Sequence, residues 1–228
     1  MTARGEGSPR GPARGRRAAR QAPRPGADAR ARIVLATRNP HKVAELAAML
    51  SSLPVEILSC LDFPDVPEVL EDAATFEGNA VKKARAVCLA TGLPALADDT
   101  GLEVEFLGGA PGVLSARYAG VGASYEENNR KLLAALADVP AAKRRAAFRC
   151  VIALALPGRD PVTVEGRTEG TILERGRGSN GFGYDPLFLP DGCDLTYAEM
   201  AAEQKNLVSH RGKAILLARG LIARLVLP

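Results

Sequence analysis

The stretch LPALADDTGLEVEFLGGAPGVLSARYAG, Leu93 to Gly120, decides how the rest of the chain is read. Its apolar opening, Leu93 to Ala97, predicts a buried strand ending at two adjacent carboxylates, Asp98 and Asp99, followed by Thr100-Gly101. Clefts in α/β sheets open beyond the carboxyl ends of strands, so acids delivered there stand at a site. Side chains alternate along a strand, so one of the pair should face the cleft and the other the scaffold. Gly108-Gly109 and Pro111-Gly112 then impose a turn-rich loop ending in Ser115-Ala116-Arg117-Tyr118. An Asp-Asp pair is by itself ordinarily a solvated turn. Three other polar clusters argue against that reading here.

The first lies upstream. Ile33-Val34-Leu35-Ala36 reads as a buried strand running into Thr37-Arg38-Asn39-Pro40-His41-Lys42, then a helix with an apolar stripe of Val43, Leu46, Ala47 and Leu50. Asn39 has the form of an N-cap with Pro40 at the first helical position, so backbone N–H groups and the positive end of the helix dipole should point into the space beyond the strand. Lys42 adds a full charge to that potential anion site. No Walker A pattern occurs anywhere. A proline-rich connection, Phe63 to Pro67, leads to Glu68, Glu71 and Asp72. The helix that follows carries Phe76, Ala80, Ala84, Val87 and Cys88 on one face and closes at Thr91-Gly92. Lys82 and Lys83 lie in its middle, where charges usually form a solvated face.

Downstream, Ser124 and Glu127 form a capping box for a helix through Ala137 bearing Leu132, Leu133 and Leu136. Phe148 to Leu156 reads as a fully buried strand and Val162 to Ile172 as one or two more. Gly181-Phe182-Gly183-Tyr184-Asp185-Pro186 holds an aromatic and a carboxylate between glycines, ordinarily a turn with Phe182 tucked into the core. Thr196 with Glu199 should cap a short helix containing Glu203 and Lys205. Ser209-His210-Arg211-Gly212 separates it from a last helix with Ile215, Leu216, Leu221, Ile222 and Leu225.

At 228 residues, 46% apolar and 25% charged, the chain suffices for one core or two lobes sharing a sheet. It has no apolar run of about 18 residues and no signal-peptide core, so no membrane is expected and the cytoplasm is the expected location. Cys60, Cys88, Cys150 and Cys193 form no CxxC, and only His41 and His210 could join them, which argues against zinc or a disulfide framework. The net charge of +4 is uneven: residues 1–30 hold eight arginines and two acids, +6, leaving the other 198 residues at −2. Residues 1–31 therefore read as a disordered, dispensable Arg/Gly/Pro-rich tail and 32–228 as the functional domain.

Strands alternating with helices give an α/β protein whose polar clusters fall at strand ends and helix starts. Sorted by chemistry, the clusters are oxygen ligands (Glu71, Asp98, Asp99), phosphate donors (Thr37, Asn39, Lys42, Lys83), and a flat-ring reader (Phe182, Asp185, His210, Arg211). Carboxylates without a rich nitrogen set suit a hard cation such as Mg²⁺ working with substrate phosphates. Together they suggest a nucleotide polyphosphate cleaved with metal help.

ATRNPHK (Ala36 to Lys42), EDxxxFxxNAxxKA (Glu71 to Ala84), ADDTGLEVEFLGGAPGVLSARYAG (Ala97 to Gly120), GFGYDPLF (Gly181 to Phe188) and SHRGKA (Ser209 to Ala214) strongly resemble the dITP/XTP pyrophosphatases, also called inosine triphosphate pyrophosphatases. The resemblance covers about residues 32–226. It implies an elongated central mixed β-sheet flanked by helices, two lobes with a substrate cleft between them, a cytoplasmic homodimer, and Mg²⁺-dependent hydrolysis of dITP, ITP and XTP to monophosphate and pyrophosphate. By motif position it implies that Thr37, Arg38, Asn39, Pro40, His41 and Lys42 bind the triphosphate with help from Lys83. Glu71 and Asp99 would hold the metal, and Asp99 would accept the proton. Thr100 follows in the substrate site, where many members have serine, and Arg38 stands where many have glycine. Phe182, Gly183, Tyr184, Asp185, Lys205, His210 and Arg211 would bind the purine.

Two other readings compete. The Maf-type nucleotide pyrophosphatases share a similar fold but typically carry serines and paired arginines in the opening loop, where this chain has Thr37, Asn39 and Lys42. A nucleic-acid-binding protein could use the basic arm, but the net-acidic body has ten aromatics with no basic interleaving, and no stable nucleic-acid partner is expected.

Overall fold

Ile33, Val34 and Leu35 are wholly buried, because β1 (Ala31–Leu35) lies inside a sheet covered on both faces. The structure, a computed structural model, describes Thr2 and residues 30–227. The segment read as a disordered tail lies outside the described residues, apart from Thr2, Arg30 and Ala31, the last of which opens β1. On one side β1 pairs in parallel with β2 (Val55–Ser59), and on the other with β3 (Ala95–Val104). Antiparallel β4 (Arg145–Ala155), β5 (Val162–Ile172) and β6 (Phe188–Pro190) extend the sheet, in the order β2-β1-β3-β4-β5-β6. This is the mixed sheet expected. Its long members, of ten and eleven residues, run to about 35 Å at the usual strand rise, well past the end of five-residue β1.

Period-two alternation decides which helix covers which face. Val34, Ala95, Ala97, Val151 and Ala153 pack against Phe76, Ala80, Ala84 and Val87 of α2 (Phe76–Thr91). Ile33, Leu35, Leu96, Ile152 and Leu154 pack against Leu46 and Leu50 of α1 (Pro40–Leu50) and Ala214, Ile215, Ala218 and Ile222 of α5 (His210–Leu225). At the far end of the long strands a third cluster gathers Leu102, Val104, Phe148, Phe188 and Tyr197 under Leu132 of α3 (Tyr125–Ala135). The short α4 (Ala202–Val208) precedes α5. These are the two lobes.

Several boundaries differ from the sequence expectation. β3 does not stop at Asp98: it continues to Val104, because β4 pairs with it residue for residue from Ala95↔Ala155 to Val104↔Ala146. β2, five residues at the sheet's edge, is an additional strand. Val162 to Ile172 is one strand, and α3 ends at Ala135 with Leu136 as its cap. Glu199 does bond back to Thr196 N (2.9 Å), yet that box closes a turn; α4 starts later, after Ala201. α5 begins at His210, with Ser209 as N-cap accepting from Gly212 N, so His210 and Arg211 are helical rather than linker.

Candidate functional site

β1 ends at Leu35 while β3 runs on, so beyond Leu96 the edge of β3 has no strand beside it. A cleft opens there, and residues from both faces of β3 meet in it. Its lining includes Asn39, Lys42, Glu71, Asp99, Thr100 and, at the other end, Phe182, Gly183, Tyr184, Asp185, His210 and Arg211. The enclosed part measures about 130 Å³. A 150 Å³ cavity takes a benzene, so the cleft encloses on the order of one flat ring, and anything attached to that ring must lie toward the mouth.

At the mouth, Asn39 caps α1, its Oδ1 accepting from His41 N (3.0 Å) and Lys42 N (3.4 Å), with Pro40 at the first helical position. Thr37 Oγ1 accepts from Asn39 N (3.3 Å). Arg38 turns away and donates to Val66 O (2.8 Å), anchoring the proline-rich connection. Lys42 Nζ lies 3.0 Å from Asp98 Oδ2, and Arg211 Nη2 lies 3.4 Å from the same oxygen. Burial alone would raise the Asp98 pKa, but Lys42, Arg211 and Lys83 outweigh it and hold the carboxyl well below its usual range. Asp98 faces away from Asp99 as alternation requires, yet it organises two cations rather than serving as inert scaffold.

On the α2 face, Lys83 is buried, not solvated. Its ammonium donates to Glu71 Oε1 (2.5 Å), Asp98 O (2.7 Å) and Asp99 Oδ1 (3.2 Å), and Asn79 Nδ2 donates to Asp99 Oδ2 (3.2 Å). Burial pushes the Asp99 pKa up; Lys83 and Lys42 oppose the rise, and Glu71 adds to it. Arg117 Nη2 holds the Glu71 carbonyl at 2.7 Å, fixing an otherwise irregular segment. Glu71 and Asp99 thus converge on one cationic centre, now the Lys83 ammonium. Among the described residues no three His, Cys, Asp or Glu side chains group as metal ligands. Two carboxylates with open positions are what Mg²⁺ accepts when a phosphate completes its shell.

The inner end is built by α5. Gly166 on β5 makes this possible: a Cβ there would lie 2.1 Å from His210 O, so only glycine lets the first turn of α5 rest on the strand. The His210 ring stacks on Phe148 (4.5 Å, 10° interplanar). Burial, with Arg211 and Lys205 adding, drives the His210 pKa well below 6.5, so the imidazole is neutral. Among the described residues neither its Nδ1 nor Arg211 Nε, both buried, has a hydrogen-bond partner. Buried polar atoms left unpaired cost about 1–3 kcal/mol each, and both residues line the cleft, where a ligand would offer them partners. Phe182 stands near them, with Arg211 Cζ 5.3 Å from its ring centre. Gly181, at φ 72°, leaves room for Asp185 Oδ2, which accepts from Phe182 N (2.9 Å) and Lys205 Nζ (2.8 Å). Tyr184 is buried, and its hydroxyl donates to Ser115 O (2.9 Å).

Of the residues expected, Thr37, Arg38, Pro40, His41, Lys83 and Lys205 are not part of the cleft lining; Arg38, Pro40 and His41 are exposed, while Lys83 and Lys205 are buried. Sequence reading missed Glu45, which bonds Lys205 Nζ (2.9 Å) and Arg211 Nη1 (2.6 Å), and also Asn79, Tyr125 and Phe148. The helical spacing of Lys42 to Glu45 and of Asn79 to Lys83, which puts each pair on one face, was the available signal. A larger groove of about 720 Å³ runs past Phe76, Glu103, Pro111 and Arg149, but Arg149 is already paired with Glu103 and Glu165.

Fold and cleft together define an α/β protein with cations and carboxylates at the mouth of a pocket for a flat polar ring. Residues 33–219 match the model of the Ham1 family, and the chain belongs to that family. It is 55% identical over 188 residues to a dITP/XTP pyrophosphatase of Geobacter sulfurreducens, covering 82% of this chain and 94% of that one. A dITP/XTP pyrophosphatase of Syntrophobacter fumaroxidans is 54% identical over 184 residues, 81% of this chain and 78% of that one. Among solved structures, a HAM1 protein from Coxiella burnetii superposes with a TM-score of 0.78 at 42% identity, covering 85% of this chain and 99% of that one.

Proposed function

We propose that this protein hydrolyses the deaminated purine nucleoside triphosphates dITP, ITP and XTP to nucleoside monophosphate and pyrophosphate, clearing them from the nucleotide pool. The observation that carries this is the pair of unpartnered buried nitrogens, His210 Nδ1 and Arg211 Nε, at the inner end of the cleft whose mouth gathers Lys42, Asp99 and Glu71. The names of the relatives point to the same substrates.

In this reading the Thr37–Lys42 loop, with Lys83, cradles the triphosphate through the positive end of the α1 dipole and ammonium charge. Glu71 and Asp99 would hold Mg²⁺, which would supply positive charge to offset the charge developing on the phosphates. Asp99 accepts the proton as water oxygen bonds to the α-phosphorus. The α–β bridging bond breaks, its electron pair leaves with pyrophosphate, and Lys42 holds that leaving group. Arg211 donates to the 6-oxygen of the base. Phe182 gives a stacking face, and Asp185, held by Lys205, fixes the loop carrying Phe182 to Tyr184. Thr100 lies between base and phosphates beside Arg211 Nη2, 3.4 Å from its hydroxyl.

Residues 32–228 form the catalytic domain in this reading and 1–31 a dispensable tail. The working form is a cytoplasmic homodimer with neither membrane nor stable nucleic-acid partner. Among the described residues no helix is long and apolar enough to cross a membrane. The family match favours this reading over a Maf-type enzyme or a nucleic-acid binder. Incubation with dITP, XTP, dGTP and dATP plus Mg²⁺, followed for pyrophosphate and monophosphate, tests it. Turnover of dITP and XTP far above the other two is expected. Equal turnover of all four, or release of orthophosphate, would refute it.

A further inference from the structure

Tyr125 is the first residue of α3, in the lobe opposite α1, and nothing in the proposed reaction uses it. It is half-buried and lines the cleft. Its ring centre lies 5.9 Å from that of Phe182, tilted by 39°, within the range of an aromatic pair. Its hydroxyl accepts from Asn39 Nδ2 at 3.3 Å, across the mouth of the cleft, while Asn39 Oδ1 caps α1. Tyr125 thus touches both the loop at the phosphate end and the aromatic wall at the ring end.

The surroundings of Phe182 show which of its neighbours can meet a ligand. His41 stacks on Phe182 (5.4 Å, 21°) but is exposed and absent from the cleft lining, so it backs the ring from outside. Tyr125 lies on the lining itself. A flat ring entering beside Phe182 therefore meets a second aromatic surface held at a fixed tilt. That surface is positioned twice, by the Phe182 contact and by the Asn39 bond. No charge at Tyr125 competes for the ligand's polar edge, which is left to His210 and Arg211.

We propose that Tyr125 is a specificity-determining residue of this site, a second aromatic wall that selects for a planar base and sets its angle to the triphosphate loop. This rests on the nucleotide reading above. Its place on the helix makes the substitution clean, because Ser124 and Glu127 supply the cap of α3 between themselves: Ser124 Oγ accepts from Glu127 N, and Glu127 Oε2 accepts from Ser124 N. Neither bond involves the Tyr125 side chain.

The experiment is calorimetric titration of wild type, Tyr125→Phe and Tyr125→Ala with two probes: dIMP, which carries a base, and tripolyphosphate, which does not. Stacking of one base on an aromatic is worth enough that Tyr125→Ala should weaken dIMP about tenfold. Tyr125→Phe, which keeps the ring, should restore dIMP affinity to within about twofold of wild type, and tripolyphosphate should change less than about twofold in both variants. Unchanged dIMP affinity in Tyr125→Ala overturns the proposal. So does an equal loss for tripolyphosphate, which marks a merely structural role, or a loss in Tyr125→Phe as large as in Tyr125→Ala, which assigns the effect to the hydroxyl. Wild type that binds dIMP without hydrolysing dITP would overturn the proposed reaction while the variants still decide the role of Tyr125. Wild type that binds tripolyphosphate but not dIMP overturns both.

Discussion

Asp98 and Asp99 are neighbours on β3 with opposite electrostatic situations. Asp98 lies 3.0 Å from Lys42 with its side chain wholly buried on the α1/α5 face, while Asp99 shares Lys83 with Glu71 on the α2 face. The fold favours the charge on Asp98, whose pKa is lowered, and disfavours it on Asp99, whose pKa is raised. Neutralising each should therefore act on a different property.

Asp98→Asn should cost stability of about 3 kcal/mol, the low end for breaking a buried ion pair, because Lys42 and Arg211 lose the carboxylate they share. Asp99→Asn without metal should be neutral to slightly stabilising, since its charged form is already disfavoured, yet should lower kcat by about 10² to 10⁴ through loss of the proton acceptor. Denaturant melts and steady-state kinetics on both variants give the comparison. A destabilised but fully active Asp99→Asn would remove it from catalysis.

A buried neutral histidine leaves a mark on stability. The folded His210 pKa lies well below 6.5 and the unfolded one near it, so below pH 6.5 the unfolded chain takes up a proton that the folded form refuses. The contribution is present above pH 6.5 and is lost as the pH falls below it toward the folded pKa. His210→Phe keeps a ring on Phe148 and removes the proton, so wild type should lose stability faster than the variant as the pH falls from 6.5 to 5. Parallel stability curves over that interval would place the titrating group elsewhere.

Much of this was legible in the sequence, and the failures share one cause. Helix caps, apolar periodicity and glycine punctuation are local, and they located α1, α2 and α3 closely. β3 was cut short because Asp98, Asp99, Thr100 and Gly101 look like a turn; only pairing with β4, a partner some fifty residues away, keeps them extended. Gly101 belongs to the same arrangement, since a Cβ there would lie 2.4 Å from Gly112 O. Ser209-His210-Arg211-Gly212 reads as a separator between two helices, whereas Gly212 is helical and needed, since a Cβ there would lie 1.8 Å from Asn206 O. Nothing local shows what Glu45 bonds, because its partners Lys205 and Arg211 come from 160 and 166 residues further along.

Gly181 offers a test of how tightly the ring end is set. An alanine there would sit at φ 72°, costing about 1–2 kcal/mol, with its Cβ 2.1 Å from Asp185 Oδ2. That oxygen holds both Phe182 N and Lys205 Nζ, so the loop must shift. Gly181→Ala should raise KM for dITP at least about tenfold while inhibition by tripolyphosphate stays within about twofold. Equal weakening of both would show that the two ends of the cleft are not independent.

Base selection gives the last test. The hypoxanthine and xanthine rings present an oxygen at position 6, whereas adenine presents an amino donor there. Arg211 Nε is a donor without a partner, satisfied by the first and opposed by the second. Leaving a buried donor unpaired yields discrimination on the order of 10⁴ in sites built this way. Arg211→Gln should therefore lose far more kcat/KM on dITP than on dATP, narrowing their ratio. Lys42→Ala should weaken both alike through the triphosphate they share. Arg211 also holds Glu45 and Asp98, so the variant will be less stable. The ratio is unaffected by that, because both substrates are measured on the same preparation and the folded fraction cancels. An unchanged dITP to dATP ratio in Arg211→Gln would move recognition of the base to Phe182 and Asp185.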